Sequence, residues 1–404
     1  MKKFLFVAAF ATLVAAGCQK TEVINPVPEG TPMSFTTGLS KLTKAQGTVN
    51  AENSGQKNLE AQDFSVWAYA DPQSDFSTST IVDESTQIYD KMENLHIECT
   101  SASVDAVVGN GTAAEPETPA VAGTWTPANK KEYYWPGEGK DLRFFAVSAD
   151  GSWLRATTCP VTINYDVPSM TINDFEVKAA PVMDNTDPDN PVVVKTAADE
   201  DLMVADYVKQ NQSKKTVDLT FRHTLAKVEF IFKTLDPEGD DIYPDVWVQS
   251  LSMAGLKYKG DLSVTIDNTV TERENAWKYT WTTEDATTTF TDDCAEVATY
   301  NSGVEAAAAA DPTAIKLTTA DQTFSTWLMM PQPITDANKV EITYVINKRQ
   351  FKSVFSLAGD DNGTVSGWGH NQHIRYTVIL APNTISFVPT VQDWAPVQGV
   401  EHTN

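Results

Sequence analysis

The chain has 404 residues, with 54 acidic side chains against 30 lysines and arginines and a formal net charge of −24. That length fits two or three domains of roughly 100–200 residues each, and a hydrophobic content of 41% supplies ordinary cores and excludes wholesale disorder. So large an acid excess, with no lysine or arginine cluster, excludes sequence-independent nucleic-acid binding and docking on anionic lipid through a polybasic patch.

Residues 1–18 read MKKFLFVAAFATLVAAGC. Lys2 and Lys3 precede a 13-residue apolar run, Phe4 to Ala16. A helix of that length reaches about 20 Å, short of the ~30 Å hydrocarbon core, so the run is expected to be a signal peptide and not an anchor helix. Its end, Val14-Ala15-Ala16-Gly17-Cys18, resembles a bacterial lipobox, which implies a diacylglycerol on Cys18. The plainer reading is a secretory leader with an incidental cysteine. Either sets an envelope compartment, where disulfides are permitted. With Cys18 lipidated, Cys99, Cys159 and Cys294 remain. An odd number excludes a full disulfide framework and leaves a Cys99–Cys159 bridge or buried thiols open.

Residues 19–32 are polar, carry three prolines and read as a tether. Strand-like pieces begin at Met33-Ser34-Phe35. Phe64 to Tyr69 (FSVWAY) and Leu142 to Val147 (LRFFAV) are apolar on both faces, as strands covered on both sides are. Tyr133-Tyr134-Trp135-Pro136-Gly137 reads as a strand end and turn. Val104 to Pro127, rich in Ala, Gly, Glu and Pro, is expected to be a long surface loop. Ala179 to Asp201 is expected to be another.

Val217, Leu219 and Phe221 alternate, as do Val228, Phe230 and Phe232, so two strands flank a bend at His223–Ala226. A domain boundary is expected in the polar run 211–215. Val340 to Ile346 and Phe351 to Leu357 flank Asn347-Lys348 as one hairpin. Ile374 to Leu380 and Ile385 to Val391 flank Ala381-Pro382-Asn383 as another. Helical periodicity is nearly absent, apart from one candidate turn at Glu305–Ala310. Short strands, many Thr and aromatic residues and frequent turn clusters indicate an all-β protein of β-sandwich domains.

Chemistry is sparse. With five histidines in the chain, His223 lacks a recognisable nucleophile and orienting acid and reads as a structural histidine at a bend. His370 and His373 have helical spacing but lie in loop and strand sequence, which does not support a metal site. Asp184, Asp187 and Asp189 lack the glycine of a calcium loop and are interrupted by Pro188. Asp360-Asp361-Asn362-Gly363 reads as a turn. No Gly-x-Ser-x-Gly, phosphate loop or His-Glu-x-x-His occurs, so the expectation is no catalytic residue, no metal, no cofactor and no enzyme. The aromatics read as sandwich core rather than as a glycan platform.

Taken in order, these segments resemble the fimbrillin-like lipoproteins of anaerobic Gram-negative gut and oral bacteria, the pilins of type V fimbriae. The matching pieces are the lipobox at Cys18, Met33-Ser34-Phe35 followed by Thr43-Lys44-Ala45, and Phe64-Ser65-Val66-Trp67-Ala68-Tyr69. Tyr134-Trp135-Pro136, Leu142-Arg143-Phe144-Phe145-Ala146 and Asp201-Leu202-Met203-Val204-Ala205 follow. Phe221 to Val228 and the ending Asn371 to Val378 with Val391-Gln392-Asp393-Trp394 complete the series.

The resemblance implies two transthyretin-like β-sandwich domains in tandem and export as a lipoprotein to the outer-membrane surface. It also implies a protease cut that removes the lipid and first strand, and a groove that then accepts a strand from the next subunit. The division expected on this basis is a signal peptide at 1–17, a lipidated tether and first strand at 18–45, and domains at 46–213 and 214–404. The cut in the family it resembles commonly follows arginine. Here no arginine precedes Arg143, and the matching bond is Lys44–Ala45, with Lys41 as a rival. The implied partners are other fimbrial subunits by donor-strand addition, the outer membrane through lipid at Cys18, host or bacterial surface ligands, and no nucleic acid. The alternative is a non-polymerising surface lipoprotein that binds glycan or host.

Overall fold

The computed structural model describes residues 30–39, 63–76, 81–101, 123–148, 159–177, 182–184, 192–195, 201–235, 245–266, 276–293, 315–346, 349–360, 363–381 and 384–393. Among them there is no helix, and the chain is all-β. Its first part runs through β1 (Ser34–Leu39), β2 (Phe64–Ala70), β3 (Leu95–Ser101), β4 (Thr124–Pro127), β5 (Leu142–Ser148), β6 (Val161–Asn164), β7 (Ser169–Glu176), β8 (Val182–Asp184), β9 (Val192–Lys195), β10 (Met203–Ala205), β11 (Val208–Gln210) and β12 (Thr216–His223).

Eight of these form one sheet in the order β10-β12-β1-β4-β3-β2-β5-β11. Because β10 also pairs β5, at Val204 and Val147, the sheet closes on itself. Closure removes free edges and encloses a core. Phe35, Phe64, Val66, Trp125, Trp135, Phe144, Val217, Leu219 and Phe221 fill it. Both strands that read as apolar on each face, β2 and β5, are buried at every residue. Their alternate side chains, Trp67, Tyr69, Phe145 and Val147, face outward into a second core.

That second core belongs to the rest of the chain: β13 (Ala226–Lys233), β14 (Val246–Lys257), β15 (Lys259–Ile266), β16 (Trp277–Thr283), β17 (Thr287–Asp293), β18 (Ile315–Lys316), β19 (Gln322–Met329), β20 (Gln332–Pro333), β21 (Lys339–Ile346), β22 (Arg349–Ser356), β23 (Gly359–Asp360), β24 (Gly363–Thr364), β25 (Gly367–Trp368), β26 (Gln372–Ala381) and β27 (Thr384–Asp393). Two sheets, β19-β13-β26-β27 and β17-β14-β21-β22 with β18 beside β14, share this core. A third, β16-β15-β7-β6, unites strands from both parts of the chain, and β20-β25, β23-β24 and β8-β9 form small pairs. Both expected hairpins are present as β21–β22 and β26–β27.

Several sequence expectations differ from this arrangement. The expected boundary at 213–214 falls between β11 and β12, yet both strands belong to the first sheet. The chain changes core at the His223–Ala226 bend, because Val217, Leu219 and Phe221 point into the first core and Val228, Phe230 and Phe232 into the second. The end of the expected loop 104–127 is strand β4, pinned by buried Trp125; residues 102–122 lie outside the described residues. Ala179–Asp201 contains the paired strands β8 and β9. Cys159 lies in the second core and Cys99 packs against the first, and no bridge joins the two. Cys294 and the candidate helical turn Glu305–Ala310 lie outside the described residues.

Candidate functional site: the slot held by the first strand

Strand β1 has two unequal attachments. On one side it runs parallel to β12 through six pairs, from Ser34 opposite Thr216 to Leu39 opposite Phe221. On the other it meets β4 at a single pair, Phe35 opposite Trp125. Alternation along this segment places Met33 and Phe35 toward the first core and Ser34 and Thr36 outward. Phe35 is 4% exposed. Its ring meets Phe64 at 6.4 Å and Phe144 at 6.5 Å, both edge-on. Phe64 in turn packs against Trp125 at 5.0 Å and Phe221 at 5.3 Å. This aromatic box comes from β2, β4, β5 and β12, and the Phe35 side chain from β1 packs within it.

The outward side of β1 is polar and held by side chains. Thr36 Oγ1 donates to Asp218 Oδ1 at 2.6 Å, and the hydroxyls of Ser34 and Thr216 lie 2.9 Å apart. Below β1, the aromatic run before Pro136 acts as a clamp. Met33 N–H donates to Tyr133 O at 2.8 Å, and Trp135 N–H donates to Thr31 O at 3.0 Å. Tyr133 and Trp135 are themselves buried, and Trp135 Nε1 donates to Lys215 O at 3.1 Å. The entry to β1 is thus fixed at residues 31–33.

Cys18, Lys41, Lys44 and Ala45 lie outside the described residues. The Met33-Ser34-Phe35 segment lies in the slot. Sequence reading missed its partners. Trp125 was hidden in the Ala- and Pro-rich stretch. The parallel pairing of β1 with β12 joins segments 182 residues apart, and the one available signal was that both alternate.

His223 and Thr224 sit where the chain passes from the first core to the second. His223 is buried, with Nδ1 2.9 Å from Asp201 Oδ2, which fits a structural histidine. Thr224 Oγ1 donates to Leu202 O at 2.6 Å, and Trp281 Nε1 donates to Thr224 O at 2.8 Å. His373 Nε2 lies 3.0 Å from Glu229 Oε2, and Arg375 Nε donates to the same oxygen at 2.9 Å. Burial alone would raise the Glu229 carboxyl. The His373 contact and the charges of His373, Arg375 and Lys227 outweigh burial and hold it at about 2. His370 instead packs its ring against Tyr279, 5.2 Å between centroids, and does not join His373. No metal-binding group of His, Cys, Asp and Glu occurs among the described residues. Asp184 lies in β8, while Asp187 and Asp189 are outside the described residues.

The molecule is therefore a two-core all-β protein whose first sheet is completed by its own N-terminal strand. A family model described as fimbrillin-like matches residues 100–394, and the chain belongs to that family. Among solved structures, it is similar to a fimbrial protein from Bacteroides vulgatus, at 15% identity over 90% of this chain and 99% of that one, TM-score 0.45. It is also similar to candidate cell adhesion proteins from Bacteroides uniformis (14% identity, 91% and 99% coverage, TM-score 0.44) and Bacteroides ovatus (14%, 91% and 99%, TM-score 0.42). A search of curated protein sequences found no match.

Proposed function

We propose that this chain is a fimbrial subunit that supports adhesion and assembles by strand exchange in the β1 slot. The observation that carries this reading is the attachment of β1: one pair to β4, six parallel pairs to β12, and a single buried aromatic as its anchor. Withdrawing β1 leaves the facing edges of β4 and β12 without that neighbour and uncovers the aromatic box. Unpaired edges and exposed apolar surface invite an incoming strand, for which backbone hydrogen bonds give affinity and alternate side-chain pockets give register. While β1 is in place the slot is full and the precursor stays monomeric.

In this reading Cys18 carries the lipid that holds the precursor on the outer membrane, and a cut after Lys44 releases both lipid and β1. The two cores are two transthyretin-like sandwich domains in tandem, meeting at the His223–Ala226 bend. The partners are neighbouring fimbrial subunits, and the location is the cell surface. Family membership supports a fimbrial, adhesion-related role.

Limited trypsin digestion of the folded precursor tests the proposal. Cleavage is expected first at Lys41 or Lys44, followed by slow formation of SDS-resistant oligomers. The Lys41→Ala/Lys44→Ala double variant should stay monomeric under the same treatment. Nicked protein that remains monomeric at high concentration would sink strand exchange and favour a surface lipoprotein that binds without polymerising.

A further inference from the structure

The sheet β17-β14-β21-β22 ends in two strands of opposite charge. β22 (RQFKSVFS) holds Arg349 and Lys352 and no acid, a formal +2 that no other described strand reaches. β17 (TTTFTDD) holds Asp292 and Asp293 and no base. β22 pairs β21 through eight unbroken positions, and no described strand pairs its far side. β17 pairs β14 and is likewise without a described strand beyond it. In such edges alternate residues hold their backbone N–H and C=O outward, ready for another strand. β22 is also open to solvent: Arg349, Gln350 and Lys352 are exposed, Phe351 is 43% exposed and Val354 58%. It carries neither proline nor bulge to blunt the edge, whereas the edge strand β27 is interrupted by Pro389.

Strand direction fits one end of this sheet to the other. β14 is antiparallel to β17 and to β21, and β21 is antiparallel to β22. β22 therefore runs with β14, and β17 runs against both. A second copy that continues the sheet presents its β17 to β22 in the antiparallel sense, the pairing already used throughout. That sense brings the basic start of β22 to the acidic end of β17. With Arg349 opposite Asp292 of the second copy, the same register sets Phe351 opposite its Phe290 and Val354 opposite its Thr287. Arg349 has no ion partner among the described residues, while Lys352 reaches Glu341 of its own sheet at 2.7 Å. Opposite charges on facing strands add about 0.2–1 kcal/mol per pair, and like charges subtract. The same rule disfavours β22 on β22, which sets two basic strands side by side.

We propose that the β22 edge takes β17 of a second copy of this chain, so that the five-stranded sheet continues from molecule to molecule. The contact joins two different edges and leaves one of each kind free at the ends of the row, so it propagates instead of closing on itself. Each copy carries −24, and that repulsion keeps the dilute chain monomeric; the contact forms where copies are crowded. It lies in a sheet of the second core and leaves the β1 slot untouched, so the inference does not rest on strand exchange.

The test is sedimentation velocity of the uncut full chain over a dilution series, with hydrogen exchange measured at its dilute and concentrated ends. Reversible association that SDS dissolves is expected at high concentration, with slowed exchange in β17 and β22 and unchanged exchange in β27. Arg349→Glu and Asp292→Arg should each weaken association about fivefold. The combined Arg349→Glu/Asp292→Arg chain should recover most of it. Each variant counts only if its melting temperature is near that of the parent. If Asp292→Arg does not fold, peptides copying residues 286–293 decide: the parent peptide should break up the association and the Asp292→Arg peptide should not. A chain that stays monomeric at every concentration would overturn the proposal. So would unchanged exchange in β22, full association in both single variants, no recovery in the combined chain, or association strengthened by Arg349→Glu, the mark of β22 on β22.

Discussion

Phe35 is the buried aromatic by which β1 enters the first core. Truncating a buried phenylalanine removes its transfer energy and leaves a cavity, about 3–5 kcal/mol together. Phe35→Ala is therefore expected to lower stability in urea by that amount, and Phe35→Leu by less than half as much. Equal losses for the two would show that volume in the aromatic box is not what holds the strand. Glu229 makes a different kind of contribution. Its folded pKa is depressed from 4.5 to about 2, so its stabilisation is complete above pH 4.5 and is lost as pH falls through about 2. The loss should be on the order of 3 kcal/mol across that window, since each unit of depression is worth about 1.4 kcal/mol. Urea midpoints measured from pH 5 down to pH 2 check this, and Glu229→Gln should flatten the acid slope while costing stability at neutral pH. An unchanged slope in that variant would assign the acid sensitivity elsewhere.

Among the elements, legibility in the sequence followed the locality of the signal. The hairpins β21–β22 and β26–β27 could be read directly, because alternation on both arms flanks a short turn and the register follows from the turn. Strands β2 and β5 could be read as covered on both faces because neither face has a polar side. Strand β4 could not, since four residues with one large apolar side chain carry too little period. Strand β12 was recognised as a strand but placed in the wrong half, because alternation shows that a face is buried without showing against what. The pairing of β1 yields a further expectation. A synthetic peptide copying residues 31–39 should block oligomerisation of trypsin-nicked protein, and the same peptide with alanine in place of Phe35 should not. Equal blocking by both peptides would place affinity in the backbone alone.

At the scale of the molecule, the two cores share strands. Trp67, Tyr69, Phe145 and Val147 leave the outer face of the first sheet and enter the second core, where Tyr69 stacks on Tyr165 at 5.0 Å. β6 and β7, from the first part of the chain, complete a sheet with β15 and β16 from the second. Neither core can open without exposing apolar surface of the other, so differential scanning calorimetry should show one cooperative transition with matching calorimetric and van't Hoff enthalpies. Two well-separated transitions would mean that the shared face contributes little.

Composition and alternation by themselves determined an acidic, all-β chain with about a third of its described strands, two of its hairpin turns and the two-sided burial of β2 and β5. These are properties of neighbouring residues, and a period of two is visible over a handful of positions. Only the tertiary structure decided that β1 lies parallel to β12, that the first sheet closes, that the change of core falls at the His223–Ala226 bend, and that β17 and β22 stand at opposite ends of one sheet. Each of these depends on which distant segments fill the same space. Side-chain volume and backbone hydrogen bonding settle that choice across separations at which one sequence carries no periodic signal.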